Sequence, residues 1–159
     1  MIKRMVYATI LILGEKMIKA IFFDVDGTLL SHKSKQVSKS TREALDLLKE
    51  KGIKRVLATG RHISEIDYLP LSDIKFDGYL LLNGQLCLDA NRKVISAQPI
   101  SEKSKETVVK MFNEKRIPIL LLEKEKMYIN YNDEYVEFAQ KAISTPLPTE
   151  LIREKIFIK

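Results

Sequence analysis

The most chemically suggestive stretch of the sequence is FFDVDGTLL, where two aspartates follow an apolar run with one residue between them. Because residues i and i+2 of an extended chain point to the same side, the carboxylates of Asp24 and Asp26 should lie together. At about 4 Å in an effective dielectric near 20, two such charges repel by roughly 4 kcal/mol. A hard divalent cation such as magnesium, or a shared proton, would offset this cost. The stretch therefore predicts a carboxylate pair that works with a metal ion or a proton.

A second group of polar residues, in LATGR, closes the next apolar run. If the two runs are neighbouring parallel strands, Thr59 lies at the same sheet edge as Asp24, where open α/β sheets bind their ligands. A hydroxyl beside backbone amides at a helix N-terminus suits a phosphate group, and Arg61 would add charge and further donors. Gly27 allows a sharp turn whose amides can face an anion. Together these features describe phosphoryl transfer through an aspartyl-phosphate.

The elements that position these residues alternate between strands and helices. Consecutive apolar residues before Asp24 predict a strand with both faces covered. Ser40 and Glu43 match a capping box and predict the start of a helix that Gly52 ends. The predicted order is a strand at 19–26, a helix from 40, a strand at 54–60, a short helix before Pro70 and a strand at 77–84. This order predicts an α/β fold with a partial doubly wound, Rossmann-like parallel sheet.

The pattern changes after Gly84 and predicts a second unit of α+β structure. QLCLD and KVISAQ flank the turn ANRK and predict a β-hairpin. Ser101 is the predicted N-cap of a helix that ends near Arg116, and Asn132 is the predicted N-cap of another helix. The segments IPILLLE and MYINY, between these helices, predict two further strands.

Three motifs together resemble the haloacid dehalogenase-like (HAD) superfamily. FFDVDGTLL resembles its first motif, Asp-x-Asp-Gly-Thr after an apolar strand, and VLATGR resembles its second. LLLNGQLCLDANRKVI is similar to the point where Cof-type members of subfamily IIB enter their cap domain. The resemblance implies an N-terminal extension at 1–16, a HAD-like core at 17–84 and a partial α+β cap domain at 85–159.

The resemblance also implies roles for individual residues. Asp24 would be the nucleophile and a magnesium ligand, and Asp26 the general acid/base, with its backbone carbonyl as a second magnesium ligand. Thr59 and the amide of Gly60 would bind the transferring phosphoryl group, with Arg61 as a further phosphate contact. Family members are mostly phosphatases of small phosphorylated metabolites, such as sugar phosphates. We therefore expect a magnesium-dependent phosphatase.

One part of the family pattern has no counterpart in this sequence. Members carry a lysine and an acidic Gly-Asp-x-x-Asn-Asp motif after the cap, and neither can be assigned; YNDEY lacks the glycine. We therefore expect a chain that stops within the cap, with weakened magnesium binding and impaired phosphatase activity. The alternative is a non-catalytic remnant or phosphate-binding module. A receiver domain also uses a strand-end aspartate, but it lacks Asp-x-Asp-Gly-Thr and an inserted cap.

The loss of strands beyond the cap would also leave the strand at 19–26 as an exposed apolar edge. Such an edge can pair with another chain, so self-association through it is a prediction.

Composition limits the remaining function classes. The formal net charge is +6, but lysines alternate with glutamates along the chain, which disfavours a nucleic-acid partner. SHKSKQVSKS predicts a solvated loop, with attraction of a phosphorylated substrate as the lesser alternative.

The single cysteine, Cys87, indicates a reducing compartment, so we expect a cytoplasmic protein. The apolar run at 6–13 is shorter than the roughly 20 residues of a membrane span, and 1–16 is interpreted as an upstream extension or an extra strand.

Overall fold

The computed structural model describes residues 18–143. Within this range five strands form one sheet in the order β1-β2-β3-β4-β5. The bounds are β1 Ala20–Phe23, β2 Lys54–Ala58, β3 Gly78–Leu81, β4 Leu86–Asp89 and β5 Val94–Ala97. The first three strands run parallel, and β4 and β5 join them antiparallel. The predicted parallel α/β core is confirmed, while the alternative of an extra strand at 1–16 falls outside the described residues.

Helix α1 (Lys39–Glu50) forms the crossover from β1 to β2 that a parallel pair requires. Its N-cap is Ser38, whose extended backbone lets the side chain accept a hydrogen bond from the Thr41 amide at 3.1 Å. The predicted cap at Ser40 was therefore wrong by two residues. Two serines at this spacing both precede the apolar stripe, and only the backbone conformation decides which one caps the helix.

The end of α1 agrees with the prediction. Gly52 has a φ of +69°, and its amide donates to the Lys49 carbonyl at 3.0 Å. The Ile53 amide donates to the Leu48 carbonyl at 2.9 Å. These two bonds form a Schellman motif, in which the left-handed position favours glycine because it has no Cβ. The predicted stop at Gly52 is confirmed, and the chain turns directly into β2.

Apolar side chains at the strand ends and in the loops that follow them form the core under the site. At most 1% of the residue surface is exposed for Val25, Leu57, Leu71 and Leu81. Full burial of such a side chain contributes about 1.5–3 kcal/mol to folding. The strand ends that carry the polar residues are therefore held by a packed interior.

Strands β4 and β5 form the predicted hairpin, and this hairpin is part of the core sheet. Leu80 in β3 pairs antiparallel with Cys87 in β4. The described residues 18–62 and 69–98 accordingly form one compact unit. The predicted core boundary at 84 lies 14 residues before this unit ends at 98. The unit extends further because β4 forms backbone hydrogen bonds with β3.

A second compact unit comprises the described residues 63–68 and 99–143. It contains α2 Ile63–Ile66, α3 Glu102–Glu114, β6 Leu120–Leu122, β7 Met127–Ile129 and α4 Glu134–Ile143. The predicted cap at Ser101 is confirmed, since its side chain accepts the Ser104 amide at 3.2 Å. Asn132 was the wrong cap for α4, because Asp133 accepts the Val136 amide at 2.9 Å. No helix in the described range is long and apolar enough to cross a membrane.

Candidate active site

The turn after β1 presents both aspartates at the end of the strand. Val25 between them is completely buried, whereas Asp24 and Asp26 are exposed. The Val25 carbonyl accepts the Leu30 amide at 2.9 Å, and the Gly27 amide donates to the Leu30 carbonyl at 2.8 Å. Gly27 has a φ of +78°, which this tight turn requires and which other residues rarely adopt. The turn is thus anchored by its buried apolar residue, with a carboxylate on each side.

Two neighbouring side chains restrict the turn further. The Thr28 hydroxyl donates a long hydrogen bond to Asp24 Oδ2 at 3.4 Å. The imidazole of His32 occupies the space that a Cβ on Gly27 would need. Any side chain at Gly27 would therefore displace the His32 imidazole in addition to straining the backbone, so the turn favours glycine at this position.

Asp26 is held by Arg61 through two hydrogen bonds. The Nε atom of Arg61 lies 2.8 Å from Asp26 Oδ2, and a terminal guanidinium nitrogen lies 2.9 Å from Oδ1. The Arg61 side chain is only 10% exposed, whereas that of Asp26 is 48% exposed. The hydrogen bond from Arg61 lowers the pKa of Asp26 below its ordinary value, burial partly opposes this shift, and the charges of Arg61, Lys35 and His32 reinforce it. Asp26 is therefore a carboxylate at neutral pH in this arrangement.

Thr59 lies at the end of β2 and beside the end of β1. Phe23 in β1 is in register with Leu57 in β2, so the two parallel strands end at one sheet edge. Thr59 is 7% exposed, its amide donates to the Leu80 carbonyl at 2.9 Å, and its hydroxyl accepts the Arg61 amide at 3.2 Å. The sheet thus brings Asp24, Asp26, Thr59, Gly60 and Arg61 to the same edge.

The comparison with known families identifies the lineage of this site. The model of a family described as haloacid dehalogenase-like hydrolases matches residues 21–156, a range that contains the whole constellation. The chain belongs to the haloacid dehalogenase-like hydrolases. The resemblance predicted from the motifs is thereby confirmed at the level of the family.

Similar proteins of known structure carry phosphatase names. The chain resembles BT1666, a phosphatase of this superfamily from Bacteroides thetaiotaomicron, with 32% identity, a TM-score of 0.63, and coverage of 87% of this chain and 51% of that one. It also resembles BT4131, a subclass IIB sugar phosphatase, with 29% identity, a TM-score of 0.68, and coverage of 81% and 50%.

A curated relative from Bacillus subtilis (strain 168), named "Putative phosphatase YkrA", is 28% identical over 109 residues, which are 69% of this chain and 41% of that protein. This haloacid dehalogenase-like hydrolase therefore spans about half the length of the solved structures and less than half of the curated relative.

Asn83 also lies beside the site of the hydrolase, although the motifs in the sequence assign it no role. Leu82, Asn83 and Gly84 all have positive φ, at 52°, 56° and 90°. The Asn83 amide donates to the Thr59 carbonyl at 3.2 Å, and a Cβ on Gly60 would lie 3.0 Å from Asn83 Oδ1. Strained backbone of this kind clusters at functional sites. The available signal was an Asn-Gly pair at the end of a third parallel strand, which reaches the same edge.

The basic loop after the turn also lies near the site of the hydrolase. The Ser31 hydroxyl accepts the Lys33 amide at 3.2 Å, and the Ser31 carbonyl accepts the Lys35 amide at 2.9 Å. The charges of Lys35 and His32 both lower the pKa of Asp26, so this loop acts electrostatically on that carboxylate. The loop is exposed as predicted, and its attraction of an anionic substrate stays a prediction.

The carboxylates of the hydrolase fit a magnesium ion that draws the rest of its ligands from water and phosphate. Among residues 18–143, no three acidic, histidine or cysteine side chains form a ready-made metal cluster. Magnesium is often held by one or two carboxylates together with substrate phosphates rather than by a full protein cage. The family resemblance implies the Asp24 carboxylate and the Asp26 backbone carbonyl as the protein ligands, while both side-chain oxygens of Asp26 accept hydrogen bonds from Arg61.

Proposed function

We propose that this haloacid dehalogenase-like hydrolase is a magnesium-dependent phosphatase of small phosphorylated metabolites, such as sugar phosphates, and that Asp24 is its nucleophile. The observation that carries the proposal is the convergence of Asp24, Asp26 and Thr59 at the carboxyl ends of two paired parallel strands. The phosphatase and sugar-phosphatase names of similar proteins support the same chemistry.

Each side chain has a defined part in the proposed reaction. An Asp24 oxygen attacks the phosphorus atom of a phosphate monoester, and the bond from phosphorus to the leaving oxygen breaks. Asp26 takes up a proton from solvent and donates it to that oxygen; as a carboxylate it then removes a proton from the attacking water and returns it to solvent. Water oxygen attacks the phosphorus, the Asp24–phosphorus bond breaks, and inorganic phosphate leaves. A bound magnesium ion would supply charge neutralisation at the phosphoryl oxygens.

Thr59 and Gly60 are proposed to hold the phosphoryl group during both steps. The Thr59 hydroxyl accepts the Arg61 amide, and a hydroxyl can donate its own proton while accepting. Gly60 adds its backbone amide and presents no side chain to the ligand. Arg61 was predicted as a further phosphate contact, and its guanidinium lies on Asp26 instead of projecting into solvent.

The second candidate function is a non-catalytic phosphate-binding module. One observation favours it: within the described residues no third carboxylate joins Asp24 and Asp26. Such a module would keep the phosphate site at Thr59 while lacking a complete metal site.

An assay of phosphate release by the full chain tests both candidates. With magnesium and a panel of small phosphate monoesters, Asp24→Asn should reduce turnover at least about 1,000-fold, because nucleophile removal is among the most costly changes in an active site. Asp46→Asn, an exposed position on α1, is the matched control and should leave turnover unchanged. Turnover that survives Asp24→Asn would contradict the aspartyl-phosphate. Phosphate binding without any turnover would favour the module.

The proposal also includes a cytoplasmic location and association through the sheet edge. The location rests on the single cysteine, Cys87. Among the described strands β1 lies at one edge of the sheet, with Ile18 43% and Phe22 53% exposed beside it. These exposed apolar residues support a self-association surface, although it stays a prediction.

A further inference from the structure

The contact between Arg61 and Asp26 is the best-defined contact of the site. Its geometry differs from that of an arginine whose guanidinium faces a substrate anion. Two adjacent donors of its guanidinium are engaged by the two oxygens of one carboxylate, Asp26, at 2.8 and 2.9 Å. Such parallel bonds fix the plane and the direction of the carboxylate as well as its position. The Arg61 side chain is nine-tenths buried, so it cannot swing freely towards solvent.

The backbone of Arg61 is held from two sides. Its amide donates to the Thr59 hydroxyl at 3.2 Å, and its carbonyl accepts the Leu82 amide at 3.4 Å. One partner follows β2 and the other follows β3, so the direction of the side chain is set by two strands. Arg61 thereby links the end of β2 to a carboxylate that follows β1.

We propose that Arg61 is a positioning residue for Asp26 and not a ligand of the transferring phosphoryl group. This inference rests on the proposed phosphatase function, in which Asp26 handles the protons. A carboxylate offers about four lone-pair positions, and two parallel bonds from arginine use only two of them. The remaining positions can exchange a proton with the leaving oxygen or with water while Arg61 keeps the carboxylate aligned.

The two roles for Arg61 predict different dependence on the leaving group. An alkoxide leaving group needs a proton from Asp26, whereas a nitrophenolate leaves readily without one. Loss of a positioning residue should therefore impair hydrolysis of an alkyl phosphate much more than hydrolysis of p-nitrophenyl phosphate. Loss of a phosphate ligand would impair both and would also weaken binding of inorganic phosphate.

The first experiment compares these substrates in Arg61→Gln and Arg61→Lys. We expect Arg61→Gln to lower kcat for glycerol phosphate about 100-fold, within the range of general acid–base catalysis, but kcat for p-nitrophenyl phosphate less than about 3-fold. Inhibition by inorganic phosphate should change less than about 3-fold, and Arg61→Lys or added guanidinium should recover part of the loss. Arg42→Gln, which removes an arginine–aspartate pair with Asp73 away from the site, is the matched control.

Equal losses for the two substrates, together with weaker inhibition by inorganic phosphate, would make Arg61 a phosphate ligand and overturn the proposal. A second measurement does not depend on turnover. In nuclear magnetic resonance spectra of the full chain, the Nε–H signal of Arg61 should shift in Asp26→Asn and stay in place in Asp46→Asn. A signal unmoved by Asp26→Asn would overturn the inference. A wild-type chain that releases no phosphate would overturn the proposed function. The Nε–H signal would then still test whether Arg61 binds Asp26.

Discussion

The two ends of the core sheet each pair an arginine with an aspartate, but the two pairs are built differently. At the site end, Arg61 and Asp26 meet only through their side chains, at 2.8 and 2.9 Å. At the opposite end, the Arg55 amide donates to Asp77 Oδ2 at 3.0 Å, and the Asp77 amide donates to the Arg55 carbonyl at 2.8 Å. The side-chain contact of that second pair is longer, with Arg55 Nε 3.8 Å from Asp77 Oδ2.

The difference separates a pair that joins main chain and side chain from a pair that joins side chains alone. Arg55 is 5% exposed and also donates to the Leu45 carbonyl of α1 at 3.3 Å, so it joins helix and sheet. The contact between Arg61 and Asp26 involves side chains alone, so its loss would leave the main-chain hydrogen bonds of the sheet in place. The same two residue types therefore serve stability at one end and, in the proposed reaction, chemistry at the other.

The largest effect on stability should come from the pair of Arg55 and Asp77. Arg55→Ala should lower the free energy of unfolding by about 2–3 kcal/mol, because it leaves a cavity and removes the donor to the Leu45 carbonyl, although the backbone of residue 55 keeps its bonds to Asp77. Arg61→Ala should lower it by less than about 1 kcal/mol, because Asp26 is half exposed to screening solvent. Urea unfolding of both variants measures the contrast. Equal losses of unfolding free energy in the two variants would contradict the difference between the two ends of the sheet.

A smaller effect is expected where Asn83 covers Gly60. Gly60→Ala places a Cβ 3.0 Å from Asn83 Oδ1, so the Asn83 carboxamide must move by a few tenths of an ångström beside the proposed phosphate site. Turnover should fall about tenfold, equivalent to roughly 1.4 kcal/mol of activation free energy. The double variant Gly60→Ala/Asn83→Ala is the control, since it removes the obstructing carboxamide. If Gly60→Ala turns over substrate like the wild type, the packing of Asn83 on Gly60 has no part in the site.

The smallest effect concerns acid stability at the end of the sheet that carries Arg55 and Asp77. Burial by itself would raise the pKa of Asp77, but hydrogen bonds from the Arg55 amide and Lys54 outweigh it and hold the pKa below its ordinary value. A lowered pKa contributes stability that is complete above the unfolded value near about 3.9 and disappears as pH falls through the folded value. Asp77→Asn should therefore flatten the decline of stability below about pH 4.

Urea midpoints measured across this pH range provide the check, with Asp46→Asn as the control. Wild-type and Asp77→Asn curves with the same acid slope would show that Asp77 is not held as described.

Much of the fold could be predicted because its signals are local. The consecutive apolar residues of β1, the glycine after α1 and the turn within the hairpin each act over a few positions, and all were confirmed. The cap positions at Ser40 and Asn132 were wrong because a neighbouring polar residue competes for the same role. The predicted boundary at 84 differs from the end of the compact unit at 98. The pairing between β3 and β4 depends on both strands, so neither segment predicts it by itself.

The sequence by itself determined the chemistry: an Asp-x-Asp-Gly-Thr turn after a buried strand, a Thr-Gly-Arg turn after the next, and membership of a hydrolase family. Only the tertiary structure decided how these groups are arranged. Arg61 and Asp26 are 35 positions apart, and their contact depends on where two strand ends meet. Asn83 reaches Gly60 through a left-handed backbone that its residue type permits but does not dictate. Local patterns specify which groups are present, whereas strand register and backbone conformation specify which of them touch.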